Sequence, residues 1–422
     1  MLARSPRRPP GTVDVIIIGA GHCGLAMSHM LSRRGIEHLV LERGEVGNSW
    51  RNERWDSLRL LTPNWMTRLP GQGYEGSDPD GYMSAGEVEG FLSSYAARAS
   101  APVMTRTSVL AVERHGADYR VVTSAGEFFS RAVVLATGAF SQPFVPSVAA
   151  AVPTGVTQQT AHGYRRPEQL PPGRVLVVGG SATGVQLAAE ISRSGRPVTL
   201  AVGEHVRLPR VYRGRDIQWW MHACGVLDQR IEDTDDPQRA RRVASPQLVG
   251  TPQRETLDLN RLQRDGIEVV GRLAGIRDGK AQFSGSLRNV CALADLKMNR
   301  LLDGIDEYAQ ATGLSAEVDP PQRYAPTEIG TPRLTRGIGD DIRTVLWATG
   351  FRPSYPWLHV DVFDRQGRLQ HDRGVVEAPG LYALGLPYLR RRKSSFIHGA
   401  ADDVRELSAH LSAYLEATVR AP

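Results

Sequence analysis

The stretch Val15-Ile16-Ile17-Ile18-Gly19-Ala20-Gly21-His22-Cys23-Gly24 is an apolar run that breaks into three glycines and then continues with helical character. Its apolar start predicts a buried parallel strand from Val13 to Ile18, and its end opens a helix from about His22 to Arg34. A strand, a glycine turn and a helix in this order place backbone N–H groups at a helix N-terminus, where a dinucleotide pyrophosphate binds. Gly19 permits the tight turn, Gly21 lets the backbone approach the pyrophosphate, and Gly24 lets the helix pack on the strand. His22 and Cys23 fill the variable positions. The next strand, His38 to Leu41, closes on Glu42, eighteen residues after Gly24, where a carboxylate can bind an adenosine ribose.

A second copy follows: Val175 to Val178, then Gly179-Gly180-Ser181-Ala182-Thr183-Gly184, then a helix to Ser194 and a strand Val198 to Val202. Ser181 takes the middle glycine's place, and its hydroxyl can bond a phosphate. At the ribose position stands Val202 in place of an acid, with Glu204, His205, Arg207 and Arg210 just beyond. A missing acid with arginines nearby favours a 2′-phosphate, so Arg207 is expected to hold NADPH. Each turn is followed later by an Ala-Thr-Gly triplet, Ala136-Thr137-Gly138 and Ala348-Thr349-Gly350.

The two turns and the two triplets are unequally spaced, which predicts a second domain inserted into a discontinuous first. The expected class is α/β with two Rossmann-like domains. The first would comprise residues 12–150 and 335–422, and the second residues 151–334 with a helical insertion at about 213–325. That insertion reads as mostly helical from Arg213 to Thr312, with a strand at Gly266 to Val270 and a long helix around Ala292 to Ala311. Short strands at Val109 to Val112, Tyr119 to Thr123, Glu127 to Phe129 and Ala132 to Leu135 belong to the first, as does a terminal helix from about Ala401 to Ala417. Residues 1–11, rich in arginine and proline, read as a disordered tail.

The 422 residues carry a net charge of +6, and only Lys280, Lys297 and Lys393 among the 51 basic residues are lysines. The arginines are scattered along the chain, so no nucleic-acid partner is expected. No apolar run approaches the ~18 residues that span a bilayer, and no signal-peptide pattern is present, so the expected location is cytoplasmic, away from membranes. Cys23, Cys224 and Cys291 form no Cys-x-x-Cys pair, which argues against a metal site and a dithiol centre.

Gly47-Asn48-Ser49-Trp50-Arg51, continued by Arg54-Trp55-Asp56-Ser57-Leu58 and Leu61-Thr62-Pro63-Asn64-Trp65, resembles the flavin-contacting stretch of flavin-containing monooxygenases. The serine in the second turn and Ala348-Thr349-Gly350-Phe351-Arg352-Pro353 strengthen the resemblance, which spans roughly residues 12–415. Departures exist. Val156 and Gln158 replace the phenylalanine and glycine of the family's motif around His162, and Ala383-Leu384-Gly385-Leu386-Pro387 lacks an aspartate that other two-nucleotide flavoproteins carry.

The resemblance implies FAD at the first turn and NADPH at the second, with Arg43, Ser49, Trp50, Arg51, Trp55, Leu61, Thr62, Val109, Thr137, Gly138, Thr349, Gly350 and Gly385 also contacting cofactor. It implies transfer of one oxygen atom from O2 to a small organic substrate through a C4a-(hydro)peroxyflavin. Asn64 and His162 are the expected supporting catalytic residues, although an asparagine after a proline equally serves a turn. A homodimer is compatible with this reading. A flavin reductase serving another acceptor and a nucleotide-binding regulator without turnover stay open as alternatives.

Overall fold

The computed structural model describes residues 11–420; all of the expected tail except Gly11 lies outside the described residues. Val15, Ile16 and Ile17 are fully buried, as a strand covered on both faces requires. Their strand, Thr12–Ile18, runs parallel to His38–Leu41 on one side and to Gly126–Leu135 on the other. The helix His22–Arg33 follows the first turn and packs against the terminal helix Ala400–Arg420.

The two short strands expected around Phe129 and Val133 are one strand, Gly126–Leu135. One flank of it carries two partners in succession. Asp118–Thr123 pairs antiparallel with residues 126–130, and Leu381–Ala383 pairs parallel with residues 133–135. The apparent break in the sequence marks that change of neighbour.

The second sheet is entirely parallel, in the order Glu268–Gly271, Val198–Val202, Arg174–Val178, Ile342–Trp347, Thr157–Thr160. Here the expected boundary shifts. Residues 342–347 do not rejoin the first sheet; they lie inside the second, between Arg174–Val178 and Thr157–Thr160, with Val345 and Leu346 fully buried. The chain returns to the first sheet at Leu358–His359, next to Val109–His115. Motif spacing tells that a strand precedes the triplet, but not which sheet holds it.

Residues 213–325 hold the expected strand and long helix, Glu268–Gly271 and Leu287–Ala311, but are otherwise less helical than expected. Helices Ile217–Ala223, Leu259–Arg264 and Leu287–Ala311 alternate with loops, the parallel strand Glu268–Gly271 and a hairpin, Leu273–Arg277 with Lys280–Phe283, that is extended by Thr335–Gly337. Apolar side chains fill both faces of the second sheet, and a separate core gathers around the fully buried Trp220. The two crossings between units pair with each other, Gln142–Pro143 antiparallel to Phe351–Arg352.

Candidate functional site

Each glycine turn is closed by the triplet that follows it in space. Gly19 N donates to Leu41 O at 2.8 Å and Ala136 N donates to Ile18 O at 2.9 Å. In the second unit Gly179 N donates to Ala201 O and Ala348 N to Val178 O, both at 2.9 Å. Gly19 and Gly179 have φ of +109° and +121°, a region that L side chains avoid. A Cβ on Gly19 would lie 2.7 Å from Ala136 O, and one on Gly179 would lie 2.3 Å from Ala348 O. The turn and the triplet therefore recur together because each triplet's carbonyl occupies the space beside the first glycine.

The glycines that face the opening differ from those that pack. No protein atom lies within 4 Å of a Cβ built on Gly21, Gly138 or Gly350. Near the first turn, Thr137 Oγ1 and His22 Nε2 are buried without a hydrogen-bond partner among the described residues, and burial lowers the His22 pKa to about 4. Orphaned polar atoms beside an open glycine are what a bound dinucleotide satisfies. At the second turn Ser181 precedes the helix Ala182–Arg193 without capping it through its side chain, so its hydroxyl is spare. Gly180 instead packs: a Cβ there would meet Val202 Cγ1 at 2.8 Å. Val202, which stands at the ribose position, thus packs against the turn.

Both cradles open on one continuous cleft of about 2430 Å³, well beyond the roughly 300–1,000 Å³ of a pocket for a single small ligand. Of the residues singled out from sequence, Gly19, Gly21, His22, Cys23, Glu42, Arg43, Ser49, Trp50, Trp55, Leu61, Thr62 and Val109 line it. So do Thr137, Gly138, Gly179, Gly180, Ser181, Ala182, Thr183, Thr349, Gly350 and Gly385. Glu42 holds its own turn, accepting from Ala20 N at 2.8 Å and Gly44 N at 2.9 Å, and each oxygen keeps a further lone pair. Arg43 is ion-paired with Glu53. Gly385 lies against the Cys23 sulfur, and burial pushes that thiol far up, so it is inert.

Six residues lie off the cleft walls. Gly24 and Gly184 pack beneath their turns, where a Cβ would stand 1.9 Å and 1.7 Å from the carbonyls of Gly19 and Gly179. Arg51 turns outward to Glu89 at 2.7 Å. Arg207 is not a phosphate ligand. It is 4% exposed, with Nη2 2.6 Å from Asp258 Oδ2 and Nη1 2.7 Å from Asp295 Oδ1. In an extended chain alternate side chains face opposite ways, so Val206 and Leu208 reach the cleft and Arg207 the interior. Asn64 is buried in a one-turn helix, where its Nδ2 donates to Asp78 O at 2.9 Å. His162 stacks obliquely on Phe351, ring centroids 5.0 Å apart, and burial lowers its pKa. Neither Asn64 nor His162 reaches the cleft.

The strand register reveals an arginine that sequence reading passed over. Val202 pairs with Gly271, which sets Arg272 opposite Gly203. The Arg272 stem lies 3.7 Å from where a Gly203 Cβ would be, and its exposed side chain joins Gly203 and Glu204 on the cleft wall. Arg54, beside Trp50, also lines the cleft. Among the described residues no group of His, Cys, Asp and Glu is arranged to hold a metal, and no helix is long and apolar enough to cross a membrane.

Residues 16–221 match the pyridine nucleotide-disulphide oxidoreductase family. The CzcO-like oxidoreductase of Geobacillus kaustophilus is 31% identical over 94% of this chain and 97% of its own length. The indole-3-pyruvate monooxygenase YUCCA6 of Arabidopsis thaliana is 31% identical over 74% of this chain and 79% of its own. Among solved structures, the flavin-containing monooxygenase from Stenotrophomonas maltophilia superposes with a TM-score of 0.65 at 22% identity, covering 96% of this chain and 99% of that one. A fold with two dinucleotide cradles on one cleft, together with these relationships, shows that the chain belongs to the family of CzcO-like oxidoreductases and YUCCA-type flavin monooxygenases.

Proposed function

We propose that the chain is an FAD-dependent monooxygenase that uses NADPH and O2 to oxygenate a small organic substrate. The observation that carries the reading is the shared cleft: both glycine turns open on it, so two dinucleotides can meet there. FAD is assigned to the first unit, residues 12 to about 150 and from about 355 onward, and NADPH to the second. Bound there, FAD supplies a hydride acceptor for NADPH and a site for O2 activation.

The chain's own residues then have defined tasks. The amides after Gly19 and Gly179 receive the two pyrophosphates, with Thr137 and His22 bonding the first dinucleotide and Ser181 the second. Glu42 accepts from the FAD ribose. Arg272 and the open Gly203 receive the 2′-phosphate, the task that Arg207 is too buried to perform. Trp50, Trp55 and Leu58 wall the cleft with apolar surface, which excludes water from a reactive centre. Cys23 lacks a cysteine partner and is buried, so a dithiol relay has no residues to run on.

The test is NADPH oxidation by the FAD-loaded protein under air and under nitrogen, with 18O2 to label the product. Oxygen-dependent NADPH consumption and one labelled atom in the product are expected with a true substrate. Oxidation that proceeds equally without oxygen, given an artificial acceptor, would make the chain a reductase.

A further inference from the structure

In each glycine turn the carbonyl of the second residue is anchored from outside the turn. In the first unit Ala20 O accepts from a backbone group, Gly47 N, at 3.3 Å. In the second unit Gly180 O accepts from a side chain, Gln247 Nε2, at 2.7 Å. The residue after each anchored carbonyl has nearly the same conformation, with φ −82° and ψ −177° at Gly21 and φ −88° and ψ −175° at Ser181. One glutamine thus does in the second unit what a backbone amide does in the first.

Gln247 is fully buried and rigidly mounted. Pro246–Gln247 pairs parallel with Val206–Arg207; Val206 and Pro246 line the cleft, while Arg207 and Gln247 point behind it. The next carbonyl, Leu248 O, accepts from Gln186 Nε2 at 3.1 Å. A carbonyl needs a donor opposite it, which fixes the nitrogen end of the Gln247 amide toward Gly180. The oxygen end is buried with no hydrogen-bond partner among the described residues. For folding alone, what the one hydrogen bond gains, the unpaired oxygen offsets. The effect of this side chain therefore lies in how it sets the turn.

A trans peptide directs its C=O and its N–H to opposite sides, and no cis bond occurs among the described residues. With the Gly180 carbonyl held on Gln247, the Ser181 N–H points the other way, and Ser181 lines the cleft. That N–H has no partner among the described residues. We infer, on the reading that a dinucleotide occupies the second turn, that Gln247 is a positioning residue of that site: by holding the Gly180 carbonyl it aims the Ser181 N–H at the dinucleotide pyrophosphate. A donor already aimed needs no reorientation when the anion arrives.

The FAD-loaded protein and its Gln247→Met variant, which keeps the shape and removes the donor, are titrated calorimetrically with NADP+ and with adenosine 2′-monophosphate, which lacks the pyrophosphate. The variant is expected to bind NADP+ about tenfold more weakly, the scale of one charge-assisted hydrogen bond. It should bind adenosine 2′-monophosphate within about twofold of the unaltered protein, keep its FAD, and melt within about 3 °C of it. Equal losses for the two ligands, or loss of FAD, would make Gln247 a residue of the fold and overturn the proposal; so would unchanged NADP+ affinity. A second measurement needs no variant. In the unaltered protein the Ser181 amide proton should shift downfield in the NMR spectrum with NADP+ and not with adenosine 2′-monophosphate. A Ser181 resonance that stays in place overturns the proposal even if Gln247→Met fails to fold. Binding is read here without turnover, so a missing oxygen dependence with an intact Ser181 response would sink the monooxygenase reading alone.

Discussion

A methyl group at Gly24 would stand 1.9 Å from the Gly19 carbonyl, whereas one at Gly21 would meet no protein atom within 4 Å. The two substitutions to alanine should therefore separate folding from binding. Gly24→Ala forces the helix off the strand, with an expected loss of about 3 kcal/mol or more, in the range of severe overpacking. Gly21→Ala has φ near −82°, which alanine tolerates, so the FAD-free protein should melt normally but bind FAD at least about tenfold more weakly, because the methyl fills the pyrophosphate's approach. Thermal unfolding without FAD and an FAD titration check the pair. Equal effects of the two changes would mean that Gly21 is a packing residue as well. The arginines divide in the same way. Arg272→Ala should lower kcat/KM for NADPH about tenfold and leave NADH within about twofold, the loss expected of a charged contact to a 2′-phosphate. Arg207→Met strands Asp258 and Asp295, so about 3 kcal/mol of stability should go in urea unfolding with the cofactor ratio unchanged. Sequence proximity could not distinguish these two residues. Arg207 follows the diagnostic strand directly, but strand alternation points it inward, while Arg272 becomes visible only through the register of a neighbouring strand about seventy residues away.

Elements from the two units are fastened to each other at the segment that carries Leu61 and Thr62. Arg210, fully buried, donates to Leu61 O at 2.9 Å and to both oxygens of Asp216 at 2.6 Å, with the Tyr82 ring 4.7 Å from its guanidinium. Tyr82 in turn donates to Asp216 Oδ2 at 2.6 Å. The second unit thereby fixes a cleft-lining segment of the first. Arg210→Met should speed amide hydrogen exchange across residues 58–66 while the central strand Gly126–Leu135 stays protected; uniform exchange in both would show a global rather than a local loss. The terminal helix holds a second buried group. Asp403 is 1% exposed, and burial, only partly offset by Ser394, Arg390 and Arg391, raises its pKa to about 6. Its folded pKa lies above the unfolded value, so the stability it lends is complete below about pH 4 and is lost as pH rises through 6. The change amounts to about 3 kcal/mol. Asp403→Asn should flatten that part of the stability–pH curve, and an unaltered slope between pH 4 and 6 would assign it elsewhere. Periodicity located this helix, whose apolar spacing follows its one core-facing side, and unbroken apolar runs located the first two strands, since burial on both faces requires them. Within residues 213–325 the same reading found the strand Glu268–Gly271 and the long helix Leu287–Ala311 but overstated the helix elsewhere, where short helices alternate with loops and a hairpin.

At the scale of the whole chain, the repeated pairing of glycine turn and Ala-Thr-Gly triplet made the discontinuous architecture readable, because the same steric contact is needed twice. The point of return was not readable: Ile342–Trp347 and Leu381–Ala383 are both short apolar strands, and only pairing tells which sheet holds each. The crossings themselves supply a direct test of how the cofactors are divided. Gln142 faces Arg352, and Phe144 N donates to Gly350 O at 2.9 Å, so the two cut ends of the first unit already touch. Replacing residues 145–349 by a short glycine–serine linker should close with little loop entropy and leave the first turn, Glu42, Thr137 and the terminal helix in place. That shortened protein should still turn yellow with FAD, more weakly than the full chain because Trp55, Leu58 and the Leu61 carbonyl lose their partners in the second unit. NADPH should no longer reduce it, while dithionite should. A folded product that binds no FAD would show that the second unit builds part of the FAD site. Reduction by NADPH at the full-length rate would place the nicotinamide site in the first unit and overturn the division of labour between the two glycine turns.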